Sequence, residues 1–192
     1  PRGNWVHLNI DVTVETADPR FNQAVKNTGA SVGQDFLDHV NNDLDRLAGN
    51  IADFTNQTRS SLPPVWIYSD YEGYSDIFPE AAHLYAEQGN PHRVERHEGE
   101  PVLRKTEPNA VPDNQEFFDD LKAQGINNLV VTGLYADICV LETVETLQRE
   151  GFNVMVVEDL VDTNLPESRI EGMQKLKDSG ARMVISEDLM QG

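Results

Sequence analysis

Six short apolar runs recur along the chain with helical patterns between them, and that alternation restricts the fold more than any other feature. The runs are Trp5 to Ile10, Val65 to Tyr68, Val102 to Leu103, Leu129 to Thr132, Val154 to Val157 and Met183 to Ile185. Strands separated by helices pair in parallel, because each helix carries the chain back across one face of the sheet. A three-layer α/β/α fold is therefore expected, with a central, mostly parallel six-stranded sheet. The 192 residues fit one such domain, 1–192, which is long enough to bury a large part of its surface around one core.

Between the first two runs, Phe36, Val40, Leu44, Leu47, Ile51 and Phe54 step by three and four residues, which puts one apolar stripe on a long helix. Asp113-Asn114-Gln115-Glu116 reads as an N-cap, Asp113, with an acidic partner three residues on; Phe117, Phe118 and Leu121 follow, with a stop at Gly125. Val140, Val144 and Leu147 mark a helix ending near Gly151, and Ile170, Met173 and Leu176 a last one ending near Gly180. Thr13 to Gly33 and Tyr71 to Pro101 are weakly periodic and rich in Gly, Pro, Asn and charge. They read as long loops, which in a compact domain shape a binding site.

Charge narrows the partners. Fifteen basic against 33 acidic residues give a formal charge of -18, so nucleic acid and anionic membrane are excluded, since phosphate binding needs clustered Lys and Arg. No stretch reaches the roughly 18 to 20 apolar residues of a membrane span. A small molecule is the expected partner. The single cysteine allows no intrachain disulfide and no Cys-rich zinc module. That fits a reducing compartment, and a cytoplasmic location is expected. The chain starts at Pro1 rather than Met, which is compatible with removal of an N-terminal piece.

The cysteine, Cys139, stands where a β-branched run breaks at Gly133 and a helical pattern begins. A thiol in the first turn of a helix feels the partial positive charge of unpaired N–H groups, which lowers its pKa. The structural alternative is a small buried hydrophobe. In open parallel sheets the working residues lie at the carboxyl ends of the strands. Asp11 closes the first run, Lys105 follows the third, and Cys139 opens the helix after the fourth. Asp11 alone reads as a turn residue and Lys105 alone as a surface lysine. Together a carboxylate, an ammonium and a thiol make a workable set: nucleophile, proton carrier and charge stabiliser.

These positions carry a family resemblance. Asp11, then Lys105 followed by Asn109-Ala110-Val111, then Gly133-Leu134-Tyr135-Ala136-Asp137-Ile138-Cys139-Val140 and Val156-Val157-Glu158-Asp159 resemble the isochorismatase-like cysteine hydrolases, including the nicotinamidases and N-carbamoylsarcosine amidases. The likeness runs from Trp5 to about Leu189 and is most specific from Asn128 to Asp162. It implies a catalytic triad of Asp11, Lys105 and Cys139, a cis peptide at Leu134-Tyr135, and an oxyanion hole from the N–H groups of Tyr135 and Cys139. The implied activity is cleavage of a C–N bond in a small amide, ureido or carbamoyl substrate through a thioester, without a cofactor. A homo-oligomer, dimer or tetramer, is implied as well.

Departures from the pattern matter too. Thr13 replaces a glutamine common two residues after the aspartate, and Ser69-Asp70-Tyr71-Glu72-Gly73 lacks the first histidine of the nicotinamidase metal pair Asp-x-His. Asp70 and Glu72, helped by His83 or His92, are weak candidates for a hard cation; no metal is expected, and the carboxylates read as hydrogen-bonded loop residues. His92 and His97 read as surface residues. Tyr71, Tyr74, Phe78 and Tyr135 are the candidate pocket walls. Isochorismatases proper, which cleave a vinyl ether, share Gly133-Leu134-Tyr135-Ala136 but typically lack the cysteine, so Cys139 favours amide chemistry. A non-catalytic acidic interaction protein and a redox-sensing thiol are the remaining alternatives. There is no G-x-G-x-x-G, phosphate-loop or H-E-x-x-H signature.

Overall fold

The computed structural model describes residues 4–27, 29, 32–70 and 91–191. In chain order these form β1 (Trp5–Ile10), α1 (Val14–Ala17), α2 (Pro19–Asn27), α3 (Gln34–His39), a π-helical stretch (Val40–Leu44), α4 (Asp45–Thr58), β2 (Pro64–Ser69) and β3 (Val102–Lys105). Then follow α5 (Gln115–Ala123), β4 (Asn128–Leu134), α6 (Cys139–Arg149), β5 (Asn153–Asp162), α7 (Arg169–Asp178), β6 (Arg182–Val184) and α8 (Ser186–Met190).

The strands pair in the order β3-β2-β1-β4-β5-β6, every pair parallel. Side chains alternate across the sheet with period two. Val6, Leu8, Ile10, Leu129, Val131 and Val156 face Phe118, Val140, Val144 and Leu147 of α5 and α6. Val130, Leu134 and Val157 face Val40, Leu44, Leu47, Ile51 and Phe54 on the other side. Two apolar layers thus enclose the sheet, which is the expected three-layer α/β/α arrangement.

Chain order builds one half of the sheet outward from β1 and the other outward from β4. Loops leaving these two neighbours diverge, which opens a crevice beyond their carboxyl ends. Asp11 directly follows β1, and Cys139 begins the helix after β4.

The α4-facing side of β1 carries polar groups. His7 Nε2 lies 2.8 Å from Thr132 Oγ1. That hydroxyl donates to Asn9 Oδ1 at 2.7 Å, and the Asn9 amide donates to Thr55 Oγ1 at 3.4 Å. Since Thr132 spends its hydrogen on Asn9, its oxygen accepts from His7, which assigns the ring proton to Nε2. Burial, aided by the charge of Arg59, pushes the His7 pKa down to about 3.

Four readings of the sequence change. Thr13 to Gly33 is not one loop, because α1 and α2 form within it and Phe21 is buried; few apolar residues mark this helix face. The long stripe is interrupted by the π-helical stretch, whose wider turn keeps the four-residue steps to Val40 and Leu44 on one face. Asp113 does not cap α5. Its carboxylate accepts from the Thr106 N–H and hydroxyl at 2.6 and 2.8 Å and so ties down the loop after Lys105. Ile170 is 85% exposed, leaving Met173 and Leu176 to bury α7.

Candidate active site

Two backbone features bring β1 and β4 to the site. Gly133 has φ +118°, and a Cβ there would lie 2.0 Å from the Ile10 carbonyl oxygen, so only glycine lets the strands stay this close. Asp11 has φ +52°, a left-handed conformation that aspartate tolerates better than most residues. Its N–H still donates to Ile67 O at 2.8 Å, while its carbonyl accepts from the Thr16 hydroxyl. The chain therefore leaves the sheet abruptly with Asp11 held from both sides.

Beyond β4 the Leu134-Tyr135 peptide is cis. The Ala136 N–H donates to Asp162 O at 2.7 Å, and Tyr135 O accepts from the N–H groups of Ile138 and Val140 at 3.0 and 3.1 Å. This tight turn delivers Cys139 as the first residue of α6.

Lys105, the last residue of β3, is 1% exposed. Its Nζ lies 2.8 Å from Asp11 Oδ2, 2.6 Å from Ser69 Oγ and 3.3 Å from Cys139 Sγ. Three ammonium hydrogens thus meet three acceptors. Ser69, which ends β2, completes the arrangement: its N–H and hydroxyl both donate to Asp11 Oδ1, at 2.9 and 3.1 Å. One carboxylate oxygen is occupied by Ser69, and the other is left to Lys105 and the side of the sulfur.

The electrostatics follow. Burial, reinforced by the charge of Asp11, pushes the Cys139 thiol up to about 11 against the opposing pull of Lys105. The low thiol pKa expected from the helix terminus is therefore corrected. Desolvation works against the Lys105 ammonium, but Asp11 and Cys139 outweigh it and hold its pKa above the ordinary lysine value. Both shifts favour the protonated forms, a neutral thiol on Cys139 and an ammonium on Lys105.

A cavity of about 250 Å³ opens onto these groups, lined by Asp11, Lys105 and Cys139 together with Thr16, Tyr135 and Ile138. The three residues expected to act together meet there, and Tyr135 forms part of the wall. Tyr71, Tyr74, Phe78, Glu72 and His83 lie outside the described residues. Asp70 also lines the cavity and pairs with Arg104 at 3.4 Å. Among the described residues no group of three His, Cys, Asp or Glu could hold a metal ion. His92 is not a surface residue as expected. Its Nε2 lies 2.7 Å from Asp45 and its Nδ1 3.7 Å from Asp18, while its N–H donates to Val12 O, which straps this segment beside Asp11. A second cavity, of about 280 Å³, lies among His39, Arg46, Asp162 and Arg169 and has no cysteine, serine or lysine in its wall.

Ser69 and Thr16 escaped the sequence reading. A serine after an apolar run has no signature of its own; only the order β3-β2-β1 reveals that it stands between Lys105 and Asp11.

Comparison with known proteins places the fold. Residues 38–188 match the isochorismatase domain family. A probable hydrolase, YcaC of Escherichia coli, is 31% identical over 72 residues, or 38% of this chain; the match spans 35% of the length of that curated relative. The crystal structure of the Escherichia coli YcaC gene product reveals an octameric hydrolase of unknown specificity. An isochorismatase family protein from Desulfovibrio vulgaris superposes with a TM-score of 0.67 at 20% identity, covering 98% of this chain and 97% of its own. Nicotinamidase PncA from Bacillus subtilis gives 0.61 at 19% identity, covering 95% and 99%. At these identities the superpositions speak for the fold alone.

Proposed function

The chain belongs to the isochorismatase family of hydrolases, and from that premise we propose that it is a cysteine hydrolase cleaving a C–N bond of a small amide, ureido or carbamoyl compound. One observation carries the reading: Asp11, Lys105 and Cys139 converge within hydrogen-bond reach in one cavity.

In the proposed cycle, Asp11 Oδ2 takes the thiol proton as Cys139 Sγ attacks the substrate carbonyl carbon. Negative charge moves to the carbonyl oxygen, facing the N–H groups of Tyr135 and Cys139; each such donor is worth about 3 kcal/mol in the transition state. Asp11 then gives its proton to the amine nitrogen, the C–N bond breaks and a thioester remains. Water attacks the thioester and yields a proton to Asp11. The C–S bond breaks, the acid departs, and the proton returns to sulfur. Lys105 stays an ammonium throughout and balances the charge that shifts between carboxylate and sulfur.

Release of ammonia or amine from a panel of small amides, measured for the native protein and Cys139→Ala, tests the reading. Turnover that disappears with the sulfur supports it, and turnover that persists refutes it. Assembly into a homo-oligomer is included in the proposal, supported by the octamer described for the Escherichia coli relative; light scattering coupled to size exclusion checks it.

A further inference from the structure

The cavity around Cys139 is unbalanced in charge. Asp11, Asp70 and Glu107 line it, with Lys105 as the only lysine or arginine among the described lining residues. Lys105 answers Asp11. Asp70 is answered from outside the wall by Arg104 at 3.4 Å, a side chain 65% exposed that lies over the Tyr68 ring. Glu107 makes no ion pair with any described residue. Tyr135, Ile138 and Pro108 make much of the remaining wall apolar. The positive end of α6 is confined to its first turn, where the transient oxyanion forms.

Resting on the hydrolase reading above, we infer that the site selects a small neutral or cationic amide that turns an N–H or ammonium donor toward Glu107, and that it refuses substrates bearing a carboxylate. A ligand carboxylate here would meet the exposed, unanswered carboxylate of Glu107, with no guanidinium or ammonium in the described wall left to receive it. The overall charge of -18 adds to this at long range by slowing the approach of anions. A ligand donor would instead complete the one charged group of the described wall that lacks an ionic partner.

The single cysteine makes the test direct, because thiol labelling reports one position. Rates of modification are compared for a trimethylammonium-ethyl and a sulfonatoethyl methanethiosulfonate, each normalised to its rate with 2-mercaptoethanol. The expected preference for the cation is about tenfold or more at low salt. It shrinks about threefold in Glu107→Gln and is retained in Glu98→Gln, an exposed glutamate just before β3 at the other end of the sheet. Equal or faster reaction of the anion overturns the inference, as does an equal loss of preference in both variants or failure of every reagent to reach the folded thiol. Turnover of glycinamide, propionamide and succinamate separates this inference from the reading beneath it. Succinamate cleaved best leaves the hydrolase standing and sinks the selectivity. A labelling preference with no amide cleaved keeps the selectivity and counts against the hydrolase.

Discussion

The Lys105 ammonium lies 2.8 Å from the Asp11 carboxylate with side chains only 1% and 3% exposed, so the protein keeps an ion pair almost wholly out of water. Removing one member leaves a buried charge without its counterpart, which costs about 3 to 5 kcal/mol. Lys105→Met is therefore expected to lower unfolding stability in urea by roughly that amount, as is Asp11→Asn. The double variant should lose clearly less than the sum, since its second change removes the charge stranded by the first. Additive losses would mean that the two groups do not depend on each other.

The reactivity of Cys139 should climb well into the alkaline range. With the thiol pushed up to about 11 by burial first and by Asp11 second, alkylation by iodoacetamide should keep rising through pH 9 and 10 instead of levelling near the ordinary cysteine value of about 8.5. Asp11→Asn removes a negative charge that opposes thiolate formation, so the thiol pKa should fall and alkylation at pH 8 should quicken severalfold. Hydrolysis by that variant should be lost, because the proton acceptor is gone. A plateau near pH 8 in the native protein would contradict this account of the resting state.

Ser69 holds Asp11 Oδ1 through two donors and accepts from Lys105. Ser69→Ala removes the hydroxyl and leaves Lys105 short of one acceptor, at a cost of about 1 to 3 kcal/mol. Turnover should fall roughly tenfold to a hundredfold, and the alkylation profile of Cys139 should move along the pH axis. Ser69→Thr, which keeps the hydroxyl, should restore most of both. A fall in activity with an unmoved profile would reduce Ser69 to a packing residue.

His7 makes the fold sensitive to acid. Its pKa, held at about 3 in the folded chain against 6.5 unfolded, means that the unfolded chain binds a proton which the folded chain refuses between those values. The associated stability is intact above pH 6.5 and is lost as pH falls toward 3, up to ~5 kcal/mol over the full span. Urea midpoints measured from pH 7 to 4 should decline, and the decline should be shallower in His7→Gln. An unchanged slope in the variant would assign acid sensitivity elsewhere.

Much of this was legible in the chain, and the exceptions have physical causes. Every strand core announced itself by an apolar run, because both faces of the sheet are covered. Strand ends did not. β3 extends through Arg104 and Lys105, and a buried lysine reads as a surface one unless its counter-ion is known. β5 extends from Asn153 to Asp162 through Glu158 and Asp159, past a register shift that lies opposite Val131 and Gly133. Asp11 and Cys139 were readable because strand-to-loop breaks mark them, whereas Ser69 acquires its meaning only from sheet order. The acidity of Cys139 is not legible for a related reason: sequence shows a helix start but neither the depth of burial nor the neighbouring carboxylate.

Intact-mass spectrometry of the protein quenched during turnover of a small neutral or cationic amide is the most direct test of Cys139 as nucleophile. The account predicts an acyl adduct on Cys139 in the native protein, none in Cys139→Ala, and a fall in turnover of about 10³-fold or more in that variant. Turnover retained without the sulfur, or an acyl group mapped to any other residue, would contradict it.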